Sequence, residues 1–150
     1  MAAELQPRPG PVIARLARQL ELALDSVELS LSQYRVLSFL AEGGEAASAL
    51  ADKLAVSRPS VTGVVDGLVA RGLVLRAEDP ADRRRVKHDL TPAGRQLITA
   101  ADAEVEQRLA EILAHRPDRS AAAFQGLDAW RDALAGYRTA RRAARLKAGV

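Results

Sequence analysis

Apolar residues recur at spacings of three and four through most of the chain, which predicts a mainly helical protein. The first apolar stripe begins at Val12, after an arm rich in proline. A second, shorter helix is predicted from Ser32, a favourable N-cap residue, to the glycine pair at 43–44. These two elements lead into the most informative part of the chain.

Residues 46–71 predict two helices joined by a tight turn. Leu50 and Leu54 mark the first helix, Ser57 is a good N-cap for the second, and Gly72 ends the second as a C′ residue. The apolar face of the second helix is formed by Val61, Val64, Val65, Leu68 and Val69. Its opposite face is small and polar, with Arg58, Ser60, Thr62, Gly63, Asp66 and Gly67. Such a pair predicts a helix-turn-helix, whose second helix (the recognition helix) lies in the major groove of DNA.

A β-hairpin is predicted immediately after this unit. Residues 73–77 and 86–90 form its two short strands, and residues 78–85 form a turn-rich, basic loop between them. A hairpin in this position is a wing, and its basic side chains can contact the DNA backbone or the minor groove. The predicted DNA contacts are Ser57, Arg58, Pro59, Ser60, Thr62 and Gly63 on the helix, and Arg83, Arg84, Arg85 and Lys87 on the wing.

Two further helices are predicted after the wing. Thr91 caps the first, with Pro92 at its first position, and a break at 115–118 separates it from a last helix that Ser120 can cap. The apolar stripes of the outer helices would stay wet in a single elongated copy, so a twofold dimer is the simplest arrangement that buries them. The predicted dimer contacts are Ile13, Leu16, Leu20, Leu109, Ile112, Leu113, Phe124, Leu127, Trp130, Leu134 and Tyr137.

Composition narrows the possible function classes. The chain has no Cys, which excludes a disulfide framework, a thiol nucleophile and a thiolate zinc site. Its two His residues are too few to favour a metal cluster or a catalytic triad, so we expect neither a cofactor nor a bound metal. No apolar run approaches the roughly 20 residues that cross a bilayer, and no signal sequence is recognisable, which predicts a soluble, cytoplasmic protein.

The net charge of +3 is small, but its distribution is uneven. Residues 57–95 carry +3 and residues 138–150 carry +5, whereas residues 1–56 and 96–137 carry −2 and −3. Arginine supplies 19 of the 22 basic residues, and its planar guanidinium suits phosphate and guanine. The basic middle segment therefore indicates a face that binds a polyanion, while the basic tail fits either phosphate contact or a solvated helix face.

Three motifs resemble the MarR (multiple-antibiotic-resistance regulator) family. Residues 57–74 resemble its recognition helix and first wing strand, and residues 49–54 resemble the preceding helix. Asp82-Arg83-Arg84, followed by Leu90-Thr91-Pro92-Ala93-Gly94, resembles its wing signature. The resemblance implies a mainly α fold with a small β-hairpin wing. Residues 1–150 would form one domain, with a winged helix-turn-helix over about 30–95 and dimerisation helices over about 11–29 and 96–147.

The resemblance also implies a function. It predicts a homodimeric transcription factor, usually a repressor, that binds double-stranded DNA at a short pseudo-palindromic operator. Asp82 would orient the wing and Arg84 would be its DNA-contacting arginine. Many relatives are released from DNA by small aromatic or phenolic ligands. Candidate ligand contacts in this chain are Arg15, Arg18, Tyr34 and Arg35.

Other interpretations stay open at this point. Positions 63 and 67 are often basic in the family but are glycine here, which is compatible with a winged-helix module that binds proteins instead of DNA. An enzyme is disfavoured because no nucleophile, Gly-rich loop or carboxylate pair is suitably placed. Asp66 lies beside the expected DNA surface, where a carboxylate repels phosphate, so we expect it to pair with a wing or helix arginine. His88 is expected to be a packed or half-exposed histidine and not a ligand.

Overall fold

The structure is a computed structural model that describes residues 8–43, 45–46, 58–79 and 82–148. The helices are α1 (Pro9–Asp25), α2 (Leu31–Ala41), α3 (Arg58–Ala70), α4 (Pro92–Leu113) and α5 (Ser120–Ala148), with a 3₁₀ turn at Pro117–Arg119. The strands are β1 (Glu45–Ala46), β2 (Val74–Asp79) and β3 (Asp82–Leu90). The mainly helical fold with a hairpin is as predicted, while the helix expected around Leu50 and Leu54 lies outside the described residues.

The first two helices begin earlier than the apolar pattern suggested. α1 starts at Pro9, since proline is tolerated in the first turn, where its missing N–H leaves no bond unmade. The predicted N-cap Ser32 is wrong, because Ser30 holds that position: its Oγ accepts from Gln33 N, and Gln33 Oε1 accepts from Ser30 N. This reciprocal capping box places Ser32 inside the first turn of α2.

The recognition helix α3 is terminated as predicted, with Gly72 as the C′ residue after its last turn. This residue has φ +71°, a conformation that glycine adopts without steric cost. Its N–H donates to Val69 O at 2.9 Å, and Leu73 N–H donates to Leu68 O at 3.0 Å. These two bonds form a Schellman motif, and the buried side chains of Leu68 and Leu73 provide the accompanying apolar contact. The motif turns the chain directly from α3 into the sheet.

The sheet has three antiparallel strands in the order β1-β3-β2, so the returning wing strand lies at its centre. Both wing strands are longer than predicted. β2 continues to Asp79 and β3 begins at Asp82, with a register irregularity at Glu78/Asp79, so the expected loop over 78–85 is largely strand. The short periodic segments had marked only the parts of the hairpin nearest the core, and the polar, basic remainder carries no alternation that would predict a strand.

Helix α4 begins where the sheet ends, and its first turn packs on the end of α3. Thr91 is the predicted N-cap: its Oγ1 accepts from Gly94 N at 3.0 Å and donates to Gly72 O at 2.7 Å. A Cβ at position 94 would overlap the carbonyl oxygen of Leu73 and lie 3.1 Å from its carbonyl carbon. Gly94 is therefore required by the close approach of α4 to the root of the wing.

The chain divides into two compact units, one ending at Arg108 and one beginning at Leu109. The first unit holds a hydrophobic core to which α1, α2, α3, the sheet and the start of α4 all contribute. Its fully buried side chains are Leu24, Leu29, Leu37, Leu40, Leu68, Val36, Val61 and Val65. The second unit consists of the end of α4, the 3₁₀ turn and the long helix α5.

Candidate nucleic-acid interface

The recognition helix α3 presents a buried apolar face and an exposed polar face. Val61, Val65 and Leu68 are 0–2% exposed and hold the helix on the core. Thr62, Gly63 and Asp66 lie on the opposite, solvent-exposed side. Because the period of the valines fixes which side is buried, the small polar side is the one available to another molecule.

The two glycines on this helix, Gly63 and Gly67, are not required by packing. A Cβ at either position would have no heavy atom within 4 Å, and neither glycine has a positive φ. Side chains could therefore be accommodated there within the chain. Because the two glycines have no side chain, nothing projects from the helix surface at these positions, and a partner molecule can approach the helix backbone closely.

Among the other predicted DNA contacts, the structure describes the side chain of Lys87 but not those of several other residues. Lys87 is exposed on β3. Arg58, Pro59 and Ser60 lie in the first turn of α3, and Asp82, Arg83, Arg84 and Arg85 lie in the first half of β3, but the side chains of these residues are outside the described part of the structure. Ser57 is outside the described residues altogether. The basic run thus belongs to strand β3 and not to the predicted loop.

Asp66 pairs with an arginine of the wing, as expected. Its Oδ1 accepts from Nη2 of Arg76 on β2. Arg76 Nε in turn donates to Nε2 of His88 at 3.4 Å, and the two residues are register partners across β2 and β3. The histidine is packed as predicted, at 3% exposure. Asp66 and His88 are each predictable from the sequence, but Arg76 is not, because its place between them depends on strand register.

Among the candidate ligand residues, Tyr34 makes a long-range side-chain contact. Its hydroxyl donates to Asp102 Oδ1 at 2.7 Å and so joins α2 to α4. Burial, reinforced by this hydrogen bond and by the negative charge of Asp102, raises the pKa of Tyr34 to about 12. Arg18 forms an exposed pair with Glu21 at 3.2 Å, and Arg15 and Arg35 are also exposed.

The predicted dimer contacts of α5 are all exposed. Trp130 is 64% exposed and Tyr137 61%, and Phe124, Leu127 and Leu134 range from 40% to 54%. On α1, Ile13 and Leu16 are also exposed, whereas Leu20 is half-buried. Leu109, Ile112 and Leu113 are half-buried on α4. Apolar side chains of this size in a row on one helix form a surface that water solvates poorly.

Residues 8–43, 45–46, 58–79 and 82–148 contain no group of three or more His, Asp or Glu side chains that could hold a metal ion. In the same part of the chain, no helix is both long enough and apolar enough to span a bilayer.

Comparison with known proteins identifies the same segment that carries these features. The model of the MarR family matches residues 28–85. An uncharacterised HTH-type transcriptional regulator of Mycobacterium bovis is 40% identical over 103 residues, which cover 68% of this chain and 72% of that protein. The family match thus covers the helix-turn-helix and most of the wing.

Solved structures extend the likeness to most of the chain. CouR of Rhodococcus jostii RHA1, bound to p-coumaroyl-CoA, is 28% identical with a TM-score of 0.68, covering 83% of this chain and 87% of that one. CouR has also been solved as a transcriptional repressor bound to a 23-mer DNA duplex (27%, TM-score 0.63, 79% and 87% covered). NadR in complex with 4-hydroxyphenylacetate is 28% identical with a TM-score of 0.71, covering 92% and 96%.

Proposed function

This chain belongs to the MarR family of transcriptional regulators, and from that membership we propose that it is a homodimeric repressor of a short inverted-repeat operator. The observation that carries the proposal is the small, exposed polar face of α3, followed directly by a hairpin whose returning strand carries Arg83, Arg84 and Arg85. CouR, a repressor of similar fold, has been solved on a DNA duplex, which supports DNA binding by this chain.

The recognition helices of two copies would enter successive major grooves about 34–36 Å apart. Arg58 and Thr62 would contact bases or the phosphates beside them, and the glycines would let the helix backbone approach the groove. The wing arginines and Lys87 would contact the phosphate backbone, with Asp82 orienting the wing, and would supply affinity that is independent of sequence. Sequence preference would then depend on few side chains.

Dimerisation is proposed from the exposed stripes. The row from Phe124 to Tyr137 on α5 and the pair Ile13 and Leu16 on α1 leave large apolar side chains in water. A second copy would cover such apolar rows in a twofold arrangement, which is the commonest symmetry of soluble oligomers. Burying a side chain such as Trp130 stabilises the assembly through its large apolar area.

A small aromatic or phenolic effector is proposed to release the protein from DNA. CouR has been solved with p-coumaroyl-CoA and NadR with 4-hydroxyphenylacetate, which supports this ligand class. The candidate contacts are Arg15, Arg18, Tyr34 and Arg35, because arginine pairs with a carboxylate and tyrosine packs on an aromatic ring.

The test is binding to the DNA upstream of the protein's own gene, measured by fluorescence anisotropy as a function of salt. About 6–10 phosphate contacts per dimer predict a slope of log K against log salt near −0.9 per contact. Arg84→Ala should weaken binding to every sequence and flatten this slope. Arg116→Ala, which removes an exposed arginine paired with Asp118 at 3.0 Å, is the control and should leave the slope unchanged.

Substitution of Arg58 or Thr62 should instead change which sequences are bound. The alternative, a winged-helix module that binds proteins, is favoured by Gly63 and Gly67, which replace positions often basic in relatives. A folded dimer with no preference between upstream DNA and random DNA of equal length would support that alternative and refute the proposed repressor.

A further inference from the structure

A chain of three polar side chains joins the exposed face of the recognition helix to the centre of the sheet. Asp66 on α3 is bonded to Arg76 on β2, and Arg76 is bonded to His88 on β3, the central strand. Exposure falls along this chain, since Asp66 and Arg76 are 54% and 42% exposed and His88 is 3% exposed. One end of the chain is therefore in the core, and the other end is on the surface proposed to face DNA.

We infer that Arg76 is a positioning residue that holds the recognition helix and the wing in one fixed relation. The guanidinium suits this role because it donates in two directions at once, from Nη2 to the carboxylate and from Nε to the imidazole. The imidazole accepts at Nε2 and is held by the sheet, so it limits the rotamers that Arg76 can adopt. Arg76 in turn limits those of Asp66. This inference rests on the proposed DNA-binding function.

The same pairing removes an electrostatic obstacle. Asp66 lies on the exposed side of α3 with Thr62 and Gly63, where an unpaired carboxylate would repel the DNA phosphates. When the Asp66 carboxylate is paired with the Arg76 guanidinium, the two groups together have no net charge. Asp66 on its own would weaken DNA binding, so the two residues favour binding only as a unit.

Two simpler roles for Arg76 and Asp66 predict different effects of substitution on DNA binding. If Arg76 contacts phosphate directly, Arg76→Ala reduces the salt slope by about 1.8, because the dimer loses two contacts. If Asp66 acts alone, Asp66→Ala relieves repulsion and tightens binding. If the two act as a unit, each single substitution weakens operator binding roughly five- to tenfold without changing the slope. The double substitution Asp66→Ala/Arg76→Ala is then no weaker than either single one.

The experiment measures the operator affinity and salt slope of the full chain for the wild type, both single variants and the double variant. Thermal unfolding and stoichiometric titration confirm that equal fractions are folded and active. Arg131→Ala breaks an exposed pair with Asp128 (2.8 Å) on α5 and is the matched control, expected to bind as the wild type does. Arg76→Lys keeps the charge but cannot serve both partners, so it should remain impaired, whereas Asp66→Asn should recover part of the affinity.

Additive losses in the double variant, a flattened slope for Arg76→Ala, or unchanged or tighter binding by Asp66→Ala would each overturn the inference. A readout without DNA keeps it separate from the proposed function. In the free protein, Asp66→Ala and Arg76→Ala should both speed amide hydrogen exchange in β2 and the second half of α3, and Arg131→Ala should not. A wild type that binds no DNA would refute the proposed function, while equal exchange in all variants would refute the positioning role.

Discussion

The unit that ends at Arg108 and the unit that begins at Leu109 use their large apolar residues in opposite ways. In the first, Leu24, Leu37, Leu40 and Leu68 are completely buried against one another. In the second, Trp130 and Leu134 are more than half exposed. At about 25 cal/mol per Å² of apolar area buried, the first unit contains most of its own stabilisation, and the second leaves much of the available stabilisation unused.

This difference indicates what each unit needs in order to be stable. A winged-helix lobe with a closed core can hold its DNA-facing surface in place without a partner. A long helix with an apolar row gains stability when another molecule covers that row. Two pairs of substitutions and one single substitution, taken from the largest expected effect to the smallest, test whether this contrast is correct.

The contrast predicts that truncating a leucine in the first unit changes the folding equilibrium, whereas truncating one in the second unit changes self-association. Leu68→Ala should lower the free energy of unfolding by about 2–5 kcal/mol at any protein concentration, because it opens a cavity in a closed core. Leu134→Ala, which truncates a 54% exposed side chain, should act mainly on self-association. Urea denaturation at two protein concentrations, followed by circular dichroism, distinguishes the effects. Equal, concentration-independent losses would contradict the contrast.

Helical glycines give a second matched pair. Gly94→Ala should destabilise the protein by about 1–3 kcal/mol, because the new methyl group overlaps the Leu73 carbonyl and the helix must shift. Gly136→Ala on α5 has no heavy atom within 4 Å of the new Cβ and should stabilise the helix by about 0.5–1 kcal/mol. Thermal unfolding of both variants against the wild type is the measurement, and stabilisation by Gly94→Ala would show that the approach of α4 is looser than described.

The smallest expected effect concerns the bond between Tyr34 and Asp102, which helps to close the first unit. Tyr34→Phe should cost about 1 kcal/mol at neutral pH. Because the pKa of Tyr34 is raised to about 12 from 10.0, the folded state holds this proton more tightly than the unfolded state. The stabilisation is therefore complete below pH 10 and is lost as the pH rises towards 12.

Urea denaturation at pH 8, 10, 11 and 12 measures this dependence. The difference in stability between wild type and Tyr34→Phe should shrink over the upper part of this range. A difference that stays constant to pH 12 would mean that Tyr34 ionises equally easily in the folded and unfolded states.

Much of the fold could be predicted because its signals are local. The valine period of α3, Gly72 after it, and Thr91-Pro92 before α4 each determine a boundary within a few residues of themselves. The Ser30/Gln33 capping box was also present in the sequence, and a search for serine followed three residues later by glutamine would have found it. The two-residue strand β1 carries no such signal, because its pairing with β3 joins residues about 40 positions apart.

The candidate site also combines features with local sequence signals and features that depend on long-range pairing. That Asp66 needs a basic partner followed from charge alone. The identity of the partner depended on which residue of β2 lies opposite His88, and this register is set by the whole hairpin. Similarly, the motif that contains Gly94 was recognised as a resemblance, but the reason for the glycine emerged only from the position of the Leu73 carbonyl.

The hydrogen bonds at the root of the wing affect how the wing can change during evolution. Thr91 bonds to Gly72 O at 2.7 Å and to Leu73 O at 3.1 Å, so both ends of the hairpin are fastened to each other before the strands begin. The base of the hairpin, where Val74, His88 and Leu90 are buried, is therefore fixed, whereas its outer part can vary. Residues added at its tip lengthen a closed loop, which costs only about 0.6 kcal/mol per doubling. Wing length and tip charge can therefore change from one descendant to another while helix α3 stays where it is.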